Sequence, residues 1–210
     1  MKLHHRKFGP PHAAGGPSTL VLLHGYGANE LDLVPLGPEI DPSMPVVSLQ
    51  APLSLGGPMR AWYQLQQTRT GFLIDPEEVQ SASALVAEAV AELVAERGKV
   101  LLAGFSQGGG MAAREALAHP EGVRALVSLS GVPPGLEPKA LAPAEALRGL
   151  PVFAAHGTQD PLLDLRLGHL LRDQLESAGC DVSFHEYEMA HTIVAEELAD
   201  LRSWLQGLRG

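Results

Sequence analysis

Short aliphatic runs, each about the length of one strand, recur along the chain, and between them apolar residues return every three or four positions. Thr19 to Leu23, Val46 to Leu49, Val100 to Ala103, Ala125 to Leu129 and Val152 to Ala155 read as buried strands, and Val182 to Glu188 reads as a last strand. Residues 2 to 8 read as an edge strand, closed by the Gly and Pro cluster from Gly9 to Pro17. The helical stripes are equally regular. After Asp75-Pro76, an N-cap followed by proline at the first helical position, Val79, Ala82, Val86, Val90 and Leu93 lie on one face, and Gly98 ends the helix. Met111, Ala112, Ala116 and Leu117 mark a second helix, Leu163 to Leu175 a third, and Val194 to Leu208 a closing one. A brief helix is expected around Glu30 to Leu36. The segment from Gln50 to Asp75, rich in Pro, Gly and Gln and holding Trp62 and Phe72, reads as loop. Strands alternating with helices in this way predict an α/β protein with one mostly parallel sheet covered on both faces, in a single domain over residues 1–210.

Composition narrows the function. The 210 residues are 45% hydrophobic and 19% charged, as in a compact soluble globule. Fifteen basic residues against twenty-four acidic ones give a formal charge of -9, which repels phosphate backbones, so no nucleic-acid partner is expected. Cys180 is the only cysteine, which rules out an internal disulfide and a thiolate metal cluster, and it reads as a small buried hydrophobe. The N-terminus carries Lys2, Arg6 and Lys7 without the apolar run of a secretory signal, and no stretch is long and apolar enough to span a membrane. The expected location is the cytoplasm.

The chemistry concentrates where the third buried strand meets its helix. Gly104-Phe105-Ser106-Gln107-Gly108 is G-x-S-x-G with a strand before it and a helix after it, the context in which a strained turn lifts a serine above the end of a sheet. The flanking glycines have a steric reason to be there, since a side chain at either would collide with a neighbouring element as the chain reverses. A serine needs a base, and the base needs a group to orient it. In a parallel sheet the residues just after strand C-termini share one rim, and there the chain places Asp160, in His156-Gly157-Thr158-Gln159-Asp160, and His191, in Met189-Ala190-His191. The order Ser, Asp, His is the one this strand-turn-helix arrangement uses. The backbone N–H of Gln107, at the helix N-terminus, and that of Tyr26, in the glycine-flanked loop after Leu23, are the expected donors to an oxyanion. His24 and His156 also follow strands, but each precedes a glycine, which points to loop packing. Asp164 is the rival carboxylate, at a position where the next helix should already have begun. No H-E-x-x-H occurs, and no metal is expected.

Six segments, HGYGANELDL from 24, AWYQL from 61, GFSQGG from 104, LSG from 129, HGTQD from 156 and MAH at 189 to 191, resemble the phospholipase/carboxylesterase family of α/β-hydrolases, which includes acyl-protein thioesterases. The resemblance implies the α/β-hydrolase fold and a serine esterase that needs no cofactor and acts on small-molecule carboxylic esters or thioesters. It puts the triad on Ser106, Asp160 and His191 and the oxyanion donors on Tyr26 and Gln107. The chain departs from the family pattern at Ala190, where glycine is usual, and at Leu162-Leu163-Asp164, where valine-valine-proline is usual. The span between Gly131 and Val152 is too short for a separate cap domain, so the site should be open, with Trp62 or Phe72 lining the acyl pocket. Hydrolysis of lactones or of carbon-carbon bonds on the same triad, or ligand binding without catalysis, are the competing functions.

Overall fold

The computed structural model describes residues 2–13, 15–68, 71–133 and 135–208. In chain order the elements are β1 (His5–Phe8), β2 (Leu20–Leu23), α1 (Leu36–Ile40), β3 (Val46–Leu49), β4 (Leu53–Gly56), β5 (Met59–Ala61), β6 (Gln66–Thr68), β7 (Gly71–Leu73) and α2 (Pro76–Arg97). The second half runs β8 (Val100–Phe105), α3 (Gln107–Ala118), β9 (Val123–Leu129), α4 (Ala144–Leu147), β10 (Pro151–Gly157), α5 (Leu165–Ser177), β11 (Asp181–Tyr187) and α6 (Ala195–Gly207). Seven strands form one sheet in the order β1-β3-β2-β8-β9-β10-β11. Every pairing within it is parallel except that of β1 with β3. This is the α/β-hydrolase architecture that the resemblance implies.

The two-residue period of a strand sorts the core into two layers. Val21 and Leu23 of β2, with Leu102 and Val152, face α2, α3 and α5, where Val86, Val90, Met111 and Leu175 meet them. Leu20 and Leu22, with Leu101, Val127 and Phe153, face α1 and α6 through Ile40, Leu201 and Leu205. Because both faces are covered, the central strands read as unbroken apolar runs. Their C-terminal ends open at one rim, where the loops after β2, β8, β10 and β11 gather.

Three expectations need correction. The segment from Gln50 to Asp75 is not simply loop: β4 pairs with β5 and β6 with β7 as two antiparallel hairpins. Their strands are only three or four residues long, and β6 is exposed throughout, so no sustained alternation marks them in the sequence. The helix expected around Glu30 to Leu36 forms instead at Leu36–Ile40, after a run of turns. The helix expected from Leu163 begins at Leu165, because Asp164 caps it by accepting the Arg166 N–H.

Candidate active site

Ser106 stands between β8 and α3 with φ 56° and ψ -120°, a conformation that an L-residue adopts only under strain imposed by its surroundings. Two glycines make that turn possible. A Cβ on Gly104 would sit 2.2 Å from the Gly108 carbonyl oxygen, and one on Gly108 would sit 2.0 Å from the Leu23 carbonyl oxygen. The start of α3 is thus pressed backbone to backbone against the end of β2, and the loop after β2 is brought over the serine. A Cβ on Gly25 would touch the Ser106 Cβ at 3.4 Å. The Ser106 N–H donates to the Leu129 carbonyl, fixing the turn to β9 as well.

The other two predicted residues reach Ser106 from their own loops. His191 Nε2 lies 2.9 Å from Ser106 Oγ, and His191 Nδ1 lies 2.6 Å from Asp160 Oδ2. The other carboxylate oxygen accepts the Leu162 and Leu163 N–H groups, both at 2.9 Å. Burial opposes ionisation of Asp160, but the bonds from Leu163, His191 and Leu162 outweigh it and hold the carboxyl below its ordinary value. The carboxylate side chain is fully buried while the imidazole is 14% exposed, so the outer edge of the ring is what an incoming molecule meets. The loops after β10 and β11 are locked together by the Gln159 N–H to the Met189 carbonyl, over Gly157, whose Cβ would lie 2.4 Å from that same oxygen. The Phe105 ring packs against His191 with centroids 4.8 Å apart.

The rival residues are engaged elsewhere. Both ring nitrogens of the fully buried His24 are bonded, one to Gly25 O and one to Ala51 N. His156, also fully buried, donates from Nε2 to the Leu163 carbonyl, which holds the turn that carries Asp160. Asp164 is paired with Arg166, whose bonds hold its carboxyl at about 2.

The pocket residues divide. A groove of about 620 Å³ beside Ser106 is lined by Tyr63, Phe72, Ile74, Val132, Leu162 and Leu167, among others. Phe72 is on it. Trp62 is not, which corrects the expectation for that residue. It is 1% exposed, and its indole N–H donates to the His24 carbonyl inside the protein. The Gln107 side chain has a role that no motif announces: it accepts the backbone N–H of Trp62 and donates to the Tyr63 carbonyl, clamping the end of β5 to the start of α3. A glutamine directly after the serine, inside an otherwise apolar and glycine-rich stretch, was the available signal.

The sequence profile of the phospholipase/carboxylesterase family matches residues 14–208. The chain is 27% identical to acyl-protein thioesterase 1 of Cryptococcus neoformans, over 97% of this chain and 96% of that protein. Among solved structures it resembles a Bacillus cereus carboxylesterase, with a TM-score of 0.84 and 25% identity over 98% of this chain and 94% of that one. It shares the fold of Zea mays acyl-protein thioesterase 2, with a TM-score of 0.78 and 23% identity over 99% of both chains. A match of the family profile across nearly the whole sequence means that this chain belongs to the phospholipase/carboxylesterase family.

Proposed function

We propose that the protein hydrolyses small or medium acyl esters, thioesters included, through an acyl-enzyme on Ser106. The observation that carries this is the imidazole of His191, bonded at one nitrogen to a serine hydroxyl and at the other to a buried carboxylate. In the ester-free protein His191 Nε2 accepts the Ser106 O–H, and Asp160 accepts from Nδ1, which fixes the tautomer. As Ser106 Oγ attacks the substrate carbonyl carbon, its proton passes to Nε2, and the Asp160 carboxylate stabilises the imidazolium. Collapse of the tetrahedral adduct returns that proton to the leaving alcohol or thiol. Water, deprotonated by the same nitrogen, then attacks the acyl carbon, and the proton passes from Nε2 back to Ser106 Oγ as the Oγ–acyl bond breaks and the acid leaves.

Charge on the carbonyl oxygen calls for donors fixed in advance, each contributing roughly 3 kcal/mol to lowering the barrier. The backbone N–H groups of Tyr26 and Gln107 fill this role. Gln107 opens α3, where the helix leaves its first N–H groups unpaired and the macrodipole favours an anion. Among the described residues, neither N–H donates to a protein acceptor. The apolar groove running from Ser106 past Phe72 and Leu167 suits the acyl chain.

Release of nitrophenol from acyl esters tests the reading. Wild-type protein is expected to turn over and to be labelled by a fluorophosphonate, and Ser106→Ala to lose activity by on the order of 10⁴-fold or more and to escape labelling. A Ser106→Ala variant as active as wild type would overturn it.

A further inference from the structure

The fully buried His24 sits directly behind one of the two proposed oxyanion donors, and both of its nitrogens have partners whose roles are unambiguous. Ala51 N–H can only donate, and it lies 3.1 Å from Nε2; Gly25 O can only accept, and it lies 2.8 Å from Nδ1. The ring is therefore the neutral tautomer that carries its proton on Nδ1. The Gly25 carbonyl belongs to the same rigid peptide plane as the Tyr26 N–H, so whatever holds the carbonyl aims the N–H. The plane before it is held too, since the Trp62 indole N–H donates to the His24 carbonyl at 2.8 Å. Trp62 is fixed in turn by the Gln107 side chain, on the residue that offers the second oxyanion donor. Two donors from distant segments are thereby set against each other through one chain of bonds: Gln107 to Trp62, Trp62 to the His24 carbonyl, and the His24 ring to Gly25.

We propose that His24 is a positioning residue of the oxyanion hole, acting through the Gly25–Tyr26 peptide plane, with Trp62 holding the plane before it. This rests on the hydrolase reading above. The Nδ1–H bond does two things: it fixes the direction of the Tyr26 N–H, and by bonding the carbonyl it polarises the amide and strengthens it as a donor. Both effects matter only once negative charge has developed on the substrate oxygen, so they should appear in kcat and leave substrate binding alone.

Two substitutions separate this role from packing. In His24→Asn the amide nitrogen falls near the position of Nδ1 and can still donate to Gly25, whereas in His24→Gln the amide oxygen falls near Nε2 and can accept from Ala51 but nothing reaches Gly25. Both lose the imidazole ring. The Asn variant should keep kcat within about threefold of wild type, and the Gln variant should fall by roughly tenfold or more with KM unchanged across acetyl to octanoyl nitrophenyl esters. The affinity for a boronic acid, which mimics the tetrahedral adduct, should fall by the same factor. Equal kcat in the two variants, or a loss carried by KM, overturns the proposal. If neither variant folds, Trp62→Phe decides: a fall in kcat at constant KM supports the proposal, and an unchanged kcat overturns it. Fluorophosphonate labelling keeps the two failures apart. A wild type that is neither labelled at Ser106 nor active sinks the hydrolase reading itself, whereas labelled, active protein with matching Asn and Gln variants sinks only the role of His24.

Discussion

Asp160 makes three hydrogen bonds, and removing its charge should separate geometry from electrostatics in the role proposed for it. In Asp160→Asn the Leu162 and Leu163 N–H groups keep an oxygen to bond, but the amide nitrogen facing His191 favours the wrong tautomer. We expect kcat to fall by about 10³ to 10⁴-fold at neutral pH with little change in KM, measured on a nitrophenyl ester. A loss below about tenfold would remove the carboxylate from the proposed mechanism. The same bonds imply a direction for stability. A carboxyl held below its ordinary value in the folded state contributes stability that is present above the ordinary carboxylate range and is lost as pH falls through the lowered value. Acid unfolding of the Asn variant should lack that contribution, so its stability should decline less steeply below about pH 4 than that of wild type. That Ser106, Asp160 and His191 would meet was legible in the sequence because each follows a strand of the parallel sheet, and those strand ends share a rim. The environment of Trp62 was not. A large aromatic in a polar, glycine-rich segment looks the same in sequence whether it lines a groove or, as here, is buried under a loop with its N–H on a backbone carbonyl.

At the scale of elements, the junction between β2 and α3 is where substitution should do most harm. A Cβ on Gly108 would stand 2.0 Å from the Leu23 carbonyl oxygen and 2.5 Å from that of His24. Both are backbone atoms, so β2 and its following loop must move. Gly108→Ala should therefore cost at least about 2 kcal/mol of stability in urea unfolding and should lower kcat more than that loss alone explains, because the displaced loop carries Tyr26. An alanine variant of wild-type stability would refute the packing argument. The hairpin of β6 and β7 offers the opposite case. Phe72 is 44% exposed on the groove wall and holds little of the core together. Phe72→Ala should leave folding and the hydrolysis of acetyl esters near wild type while raising KM for octanoyl esters several-fold, about 1 kcal/mol for the lost contact. Equal KM changes at both chain lengths would take Phe72 off the acyl path. The long strands and helices were readable because burial on one or two faces imposes a period. The hairpin of β6 and β7 was not, because strands of three residues are too short to impose one.

Across the whole molecule the excess of acid, twenty-four Asp and Glu against fifteen Lys and Arg, makes the fate of buried carboxylates decisive for stability. Glu30 bonds Arg6 and Gln50, and Glu115 faces His119. Glu197, in the first turn of α6, is fully buried and has no cation beside it among the described residues. One of its oxygens accepts the Val194 N–H at 3.3 Å, half of a capping box whose other half a valine side chain has no oxygen to supply, and the other oxygen has no partner. Burial pushes this carboxyl up to about 7 from an ordinary 4.5, against the smaller lowering effect of the Val194 N–H. Between those two values the folded chain holds a proton that the unfolded chain has released. The stabilisation is full below the ordinary value and is lost as pH rises toward about 7, a fall of about 3 kcal/mol in all. Glu197→Gln keeps the shape and removes the ionisation. The variant should match wild type within about 1 kcal/mol near pH 5 and exceed it by about 2 to 3 kcal/mol near pH 8, read from urea unfolding at the two pH values. Because Val194 ends the loop that carries His191, the alkaline gain in stability should come with slower loss of activity on warming near pH 8, and a Gln variant whose stability runs parallel to wild type from about pH 5 to 8 would show that the buried carboxyl does not set this slope.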